Sequence, residues 1–203
     1  MNKEQLTNHF LKINQSLFES AANPMKSHGP DHHLRVLNNA LALLERLKAG
    51  ADFEILIPAC LLHDLAAYFP ERGGDEYHKL DVELAERKLK KINYPAEKTE
   101  KILETIAKHG SDPKDRNVKE SIETTILRDA DKMDIFGPLG VARIIMARTV
   151  RGNTLEEIAE IYHKNGYLER KWNSITTEIA KDLSRKDYEY SLSFFKDLSA
   201  KTK

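Results

Sequence analysis

Eight histidines occur in this 203-residue chain, and most of them fall beside carboxylates. His28, His32 and His33 flank Asp31, His63 adjoins Asp64, and His78 and His109 precede the segment Asp129-Ala130-Asp131-Lys132-Met133-Asp134. Imidazole and carboxylate together make a mixed nitrogen and oxygen donor set, suited to manganese, iron, cobalt, nickel or zinc. The single cysteine, Cys60, excludes a thiolate-rich structural zinc site, and its apolar neighbours mark it as a buried thiol rather than a nucleophile. Neighbouring helical residues project about 100° apart, close to the right angle between cis ligands of an octahedral ion. On that geometry His63 and Asp64 would each fill one coordination position. A His-Asp dipeptide by itself carries little weight, so the remaining donors decide the matter.

The elements that must hold these residues read as helices. Apolar residues recur at helical spacing, as in Leu34, Leu37, Leu41 and Leu44, or Leu84, Leu89 and Ile92, and sustained alternation of the strand type is missing. The expected fold is all-α. Asp75 is placed to cap a helix running to about Asn93, and Pro95 suits the first turn of the next, which should stop at Gly110 before Asp112 and Pro113. Thr154 and Glu157 form a capping-box pattern, with Gly166 as that helix's stop. Pro58 costs a helix interior a hydrogen bond, so the helix carrying His63 is expected to begin near Leu56 or Ile57. With no repeat, low-complexity tract or flexible linker, one domain is expected.

Lysine plus arginine equals aspartate plus glutamate, at 32 each, so no net field attracts a nucleic-acid polymer or an anionic membrane. The amphipathic N-terminus is broken by polar residues where a signal peptide needs an unbroken apolar stretch, and the longest apolar run, residues 55–62, is too short to cross a bilayer. A cytoplasmic location is the expectation.

Three segments together resemble the HD superfamily of metal-dependent phosphohydrolases: Asp31-His32-His33-Leu34-Arg35-Val36, Leu61-Leu62-His63-Asp64-Leu65, and Asp129-Ala130-Asp131-Lys132-Met133-Asp134. Gly137-Pro138-Leu139-Gly140-Val141-Ala142-Arg143 is similar to a stretch of small stand-alone members. The resemblance implies a compact single-domain helical bundle over residues 1–203, with a metal-site core at about 28–150 and C-terminal helices in 154–200 packing on it. It implies His32, His63, Asp64 and Asp131 as ligands of one divalent transition metal, with magnesium also admitted. Four protein ligands leave room for water and a substrate oxygen, and an ion makes its water a much stronger acid, so Asp64 counts as catalytic as well as metal-binding. Some members hold two ions bridged by the dipeptide's aspartate, and His78 and His109 lie at suitable places to serve the second. Equally open are a general-acid or phosphate-contact role for His78 and a helix-terminal cation or substrate contact for His109.

No Gly-rich phosphate loop is present, which leaves phosphate to the metal and to cations. Lys132, beside Asp131, offers a point charge with a catalytic or substrate-binding role. Arg143 offers a planar fork on a helix opened by Pro138, with Gly140 in its first turn. Ion pairing within the fold is the alternative for both. Asp134, one turn beyond Asp131, is expected to orient a ligand or else to be an ordinary solvated aspartate, and Arg35 to hold an acidic partner or a surface ion pair. Because Gly29 and Pro30 interrupt any helix between His28 and His32, His28 is expected in a loop, with His33 an exposed neighbour of the site. Tyr68, followed by Phe69 and Pro70, would wall a pocket or sit in the core. Many relatives place a small residue and a lysine after the dipeptide, whereas this chain continues Leu65-Ala66-Ala67-Tyr68, which removes one phosphate-binding cation. The expected activity is hydrolysis of a phosphate ester or anhydride of a nucleotide or other small phosphorylated metabolite, by a monomer or homodimer. A di-iron oxygenase of the same fold and a non-catalytic metal-binding regulatory module are the alternatives.

Overall fold

The computed structural model describes residues 1–73, 77–110 and 120–202. Among the described residues every regular element is helical and no strand occurs, so the protein is all-α. No helix among them is long and apolar enough to cross a membrane. The expected cap at Asp75 and the expected stop signals at Asp112 and Pro113 lie outside the described residues. The chain divides into two compact units, Met1–Arg128 and Asp129–Lys203.

The first unit contains α1 (Lys3–Ser20), α2 (Pro30–Leu47), α3 (Phe53–Leu62), α4 (Pro70–Gly73), α5 (Tyr77–Lys91), α6 (Ala96–His109) and the larger part of α7 (Ile122–Met133). At its centre is α3, which packs against α1, α2 and α6, while α5 packs on α6. Every residue from Ile55 to Leu62 is buried. A helix apolar all round is stable only when surrounded, and that placement delivers its C-terminus, with His63 and Asp64, to the middle of the unit.

The start of α3 differs from the sequence expectation. It begins at Phe53, where the Asp52 side chain accepts from the Glu54 amide at 2.9 Å, and Pro58 lies inside it. Proline has no N–H to donate to the carbonyl four residues back, which is that of Glu54. The Tyr94 hydroxyl donates to that carbonyl at 2.7 Å. A side chain from the connection between α5 and α6 thus replaces the missing ladder bond, and the helix keeps its first turn. Other boundaries follow the terminal chemistry: α6 opens after Pro95 and ends at His109 with Gly110 as its cap.

The second unit holds the end of α7, α8 (Gly137–Val150), α9 (Leu155–Ala159), α10 (Tyr167–Asn173) and α11 (Glu178–Lys201), with α8, α9 and α10 packed on α11. The capping box at Thr154 and Glu157 is present in both directions. The chain then continues through a π-helical turn, Glu160–Lys164, and Gly166, at φ 63°, starts α10. Gly140 is required: a Cβ there would lie 2.1 Å from the Ile135 carbonyl oxygen. Buried Phe136 meets the half-buried rings of Trp172 and Tyr188, the last two stacked at 4.2 Å. Buried Asp129 accepts from the amides of Thr176 and Thr177 and from the Thr177 hydroxyl, each at 2.8 Å, fixing the entry to α11.

Candidate metal centre

Two helix ends position the centre of the histidine cluster. A 3-10 turn, Lys26–His28, leads to Gly29, and Pro30 opens α2, so His28 lies off the helix and His32 in its first turn. There the His32 amide donates to the Gly29 carbonyl at 2.9 Å. His63 caps α3, and at Asp64 (φ −103°, ψ 36°) the backbone leaves the helix for a 3-10 turn, Leu65–Tyr68. The pair therefore does not sit within regular helix, and the expected 100° separation is not what orients it. The break in the backbone turns Asp64 toward the histidines instead.

His32 and His63 are fully buried, and each presents Nε2 to Asp64 Oδ2 at 3.6 Å. Together these three residues offer ligand atoms that lie within 4.8 Å of one another. Separations of 3.6 Å are too long for hydrogen bonds but normal for donors sharing one ion, since bonds of about 2.1 Å place two ligand atoms ~3.0 Å apart at a right angle and ~3.6 Å apart at 120°. The other oxygen, Oδ1, faces His109 Nε2 at 3.4 Å. Each side of the carboxylate thus meets different imidazoles. His63 Nδ1 lies 2.9 Å from the Cys60 carbonyl and His109 Nδ1 2.6 Å from that of Ile106. A carbonyl only accepts, so Nδ1 carries the proton and Nε2 turns its lone pair inward, the arrangement that metal-binding histidines use. The residues present fit a divalent cation. Burial acts to raise the Asp64 carboxyl, but His63, His109 and His32 outweigh it and hold the group well below the ordinary carboxylate range.

His33 is a correction. Expected at the surface, it is fully buried, with Nδ1 3.1 Å from the Gly29 carbonyl. Burial, then His63 and His32, hold it well below the usual histidine value. The signal was present in the spacing, because His33 is in phase with Val36, Leu37, Ala40 and Leu44 on the buried face of α2.

Asp81, which sequence reasoning missed, is 3% exposed and accepts from the Ala66 amide at 2.6 Å, tying the turn after Asp64 to α5. Its signal was a carboxylate on the same face as Leu80, Leu84 and Ala85. Burial, and then the charge of Asp64, push it up to about 8. An acid whose folded value exceeds its unfolded one favours folding most when both states are protonated, and that advantage is lost as pH rises from about 4 through about 8. In the metal-free protein, Asp81→Asn is expected to remove this loss. Its melting temperature should gain on wild type by several degrees more at about pH 8.5 than at about pH 5.5. Equal gaps at both pH values would mean that Asp81 does not titrate in this range.

The remaining candidates fall as follows. His78, exposed on the first turn of α5, has its ring 6.1 Å from that of His109. Its Cε1 occupies the place where a Cβ on Gly110 would sit, so that glycine lets the two helix ends approach. Tyr68 is core, with its hydroxyl donating to Asn14 at 2.8 Å. Arg35 pairs with Asp31 at 2.7 Å on the outside of α2. In the second unit, Asp131 is half-buried on the last turn of α7, and buried Lys132 donates to the Ser174 carbonyl at 2.6 Å. There Arg143 Nη1 donates to the Asp134 carbonyl at 3.0 Å and to its carboxylate at 2.5 Å.

A family model described as HD domain matches residues 31–135, which include all three motif segments. The chain is 28% identical to the uncharacterized protein YpgQ of Bacillus subtilis over 183 residues, covering 85% of this chain and 84% of that one. The crystal structure of B. subtilis YpgQ in complex with ADP superposes with a TM-score of 0.70 at 23% identity, over 96% of each chain. An HD-superfamily hydrolase from Bacillus thuringiensis gives 0.70 at 21% identity, over 97% of this chain and 96% of that one.

Proposed function

Because the chain belongs to the HD domain family, we propose that it is a metal-dependent phosphohydrolase in which His32, His63, Asp64 and Asp131 hold one divalent transition metal. The observation that carries this reading is the meeting of His32 and His63 Nε2 with one carboxylate, at 3.6 Å each, with the Nδ1 of His63 held on a backbone carbonyl. Asp131 joins the set from the third motif segment, inside the stretch matched by the family model. A divalent ion supplies Lewis acidity and lowers the pKa of water near it, the two things phosphate hydrolysis at neutral pH needs.

The chain's own residues do the rest. Hydrolysis adds water across a P–O bond, and the leaving oxygen must take a proton. His78, exposed beside His109, is assigned to that oxygen as acid. Lys132 and Arg143 are assigned to the phosphate, in keeping with their charge. The ADP in the YpgQ crystal supports a nucleotide, or a small molecule with the same phosphoanhydride, as the substrate. The test is release of phosphate or pyrophosphate from a panel of nucleotides and sugar phosphates by protein loaded in turn with manganese, cobalt, nickel and zinc. Turnover of at least one substrate class is expected. A filled metal site with no release from any of them would overturn the reading.

One observation favours a second reading of the metal count. Asp64 directs Oδ2 at His32 and His63 but Oδ1 at His109, as a carboxylate bridging two ions does. Two ions per chain, with the second on His109 and His78, would fit that arrangement, and two irons with oxygen-dependent turnover would indicate an oxygenase.

A further inference from the structure

One polar residue interrupts the apolar stripe of α1: the helix buries Leu6, Phe10, Asn14 and Leu17, and Asn14 is fully buried. Sealing an amide in such a place is unfavourable unless its hydrogen bonds are met. Both of its bonds go to the segment that carries His63 and Asp64. Nδ2 donates to the Leu61 carbonyl at 2.7 Å, and Oδ1 accepts from the Tyr68 hydroxyl at 2.8 Å. The direction is fixed, because a carbonyl only accepts and so takes the NH2 side of the amide.

Those two contacts lie on either side of Asp64. Leu61 is in the last turn of α3, and Tyr68 ends the 3-10 turn that follows. Between them the backbone leaves the helix at Asp64, which is what turns the carboxylate toward His32 and His63. The local sequence does not enforce that departure: Leu65, Ala66 and Ala67 are good helix formers, with no glycine or proline before Pro70. In an uninterrupted helix the Leu61 carbonyl would take the Leu65 amide. The break must therefore be held by side chains and backbone from elsewhere. Asp81 accepts from the Ala66 amide at 2.6 Å, and the Met25 amide donates to the Ala67 carbonyl at 2.9 Å. Of these three contacts, that of Asn14 reaches both sides of the break. It comes from α1, ahead of the stretch matched by the family model.

We propose that Asn14 is a positioning residue of the metal centre: by tying Leu61 to Tyr68 it keeps Asp64 out of the helix and its carboxylate aimed at the imidazoles. The proposal rests on the metal-centre reading above.

Cobalt(II) loaded into full-length protein tests it. Its visible absorption bands follow the number and geometry of the ligands, and its affinity is read by competition with a chelator. Asn14→Leu keeps the volume and removes both hydrogen bonds. Expected are cobalt affinity lower by about 10- to 100-fold and altered bands, at a temperature where circular dichroism shows the variant folded. A residue that only stabilised the fold would lower the melting temperature and leave both readings alone. Wild-type affinity and bands in folded Asn14→Leu would therefore overturn the proposal. If the leucine variant fails to fold, Tyr68→Phe, which deletes one hydroxyl and keeps the ring, is read by the same two measurements, and wild-type values overturn the proposal there too. Asp64→Ala separates the two levels: if it holds cobalt as tightly as wild type, the metal-centre reading fails, whereas loss in Asp64→Ala alone, with Asn14→Leu unaffected, removes only the role of Asn14.

Discussion

Replacing Asp64 with alanine is expected to abolish metal binding and turnover together while leaving the helices in place. Asp64 is set among His32, His63 and His109 within 3.6 Å, and both of its oxygens face imidazoles. Without it the proposed ligand set keeps a single carboxylate, Asp131, and attracts a cation far less. Outer-shell substitutions cost metal sites about 10- to 100-fold, so loss of a central ligand should exceed ~100-fold in affinity. In kcat/KM the fall should be at least ~1000-fold, about 4 kcal/mol of transition-state stabilisation. The side chain is 22% exposed and ends outside regular helix, so its removal leaves little unfilled space. Metal quantification, far-ultraviolet circular dichroism and turnover on the same sample check all three parts. A variant that keeps its metal but loses activity would move Asp64 from ligand to proton-transfer group.

Arg128→Met should strongly destabilise the first unit. Arg128 is 1% exposed, the largest fully buried side chain of the described residues. Nη1 meets Glu120 Oε2 at 2.7 Å, and Nη2 reaches Glu120 Oε1 and the Lys108 carbonyl, both at 3.0 Å. Its Nε donates to the His109 carbonyl at 3.3 Å. Methionine fills much of the volume but takes the cation away from a largely buried carboxylate and from the last carbonyls of α6, where the helix dipole is negative. Breaking one side of a buried pair costs about 3–5 kcal/mol, which for a chain of this size lowers the melting temperature on the order of 10 °C. Adding Glu120→Gln should recover part of the loss by removing the stranded charge. A loss within 1 °C of zero would mean that the guanidinium contributes nothing net to the fold.

The all-α character and the histidine and carboxylate cluster were legible because both depend on local spacing: helical periodicity, caps at Thr154 and Pro95, and motif segments short enough to read directly. What escaped depends on partners distant in the chain. Pro58 argues locally against an earlier start to α3, because nothing in residues 53–62 reveals that the Tyr94 hydroxyl, 40 residues away, donates to the freed Glu54 carbonyl. His33 was assigned to the surface by its place after a ligand, although its phase with Val36 and Leu37 put it inside. Asp81 looked like one more acid on a charged helix, and only its bond to Ala66, 15 residues back, gives it a place beside the cluster.

The carbonyls that orient the imidazoles belong to Cys60 for His63, Ile106 for His109 and Gly29 for His33, so each lies three or four residues upstream on the same stretch of backbone. Each of these three rings therefore carries its own bearing, written into a single turn of chain, and the tertiary fold needs only to supply the meeting point. Loops between the helices can lengthen or shorten over evolutionary time without rotating one ring. A designer could likewise transplant each histidine with four residues of its own backbone and expect the lone pair to arrive correctly aimed.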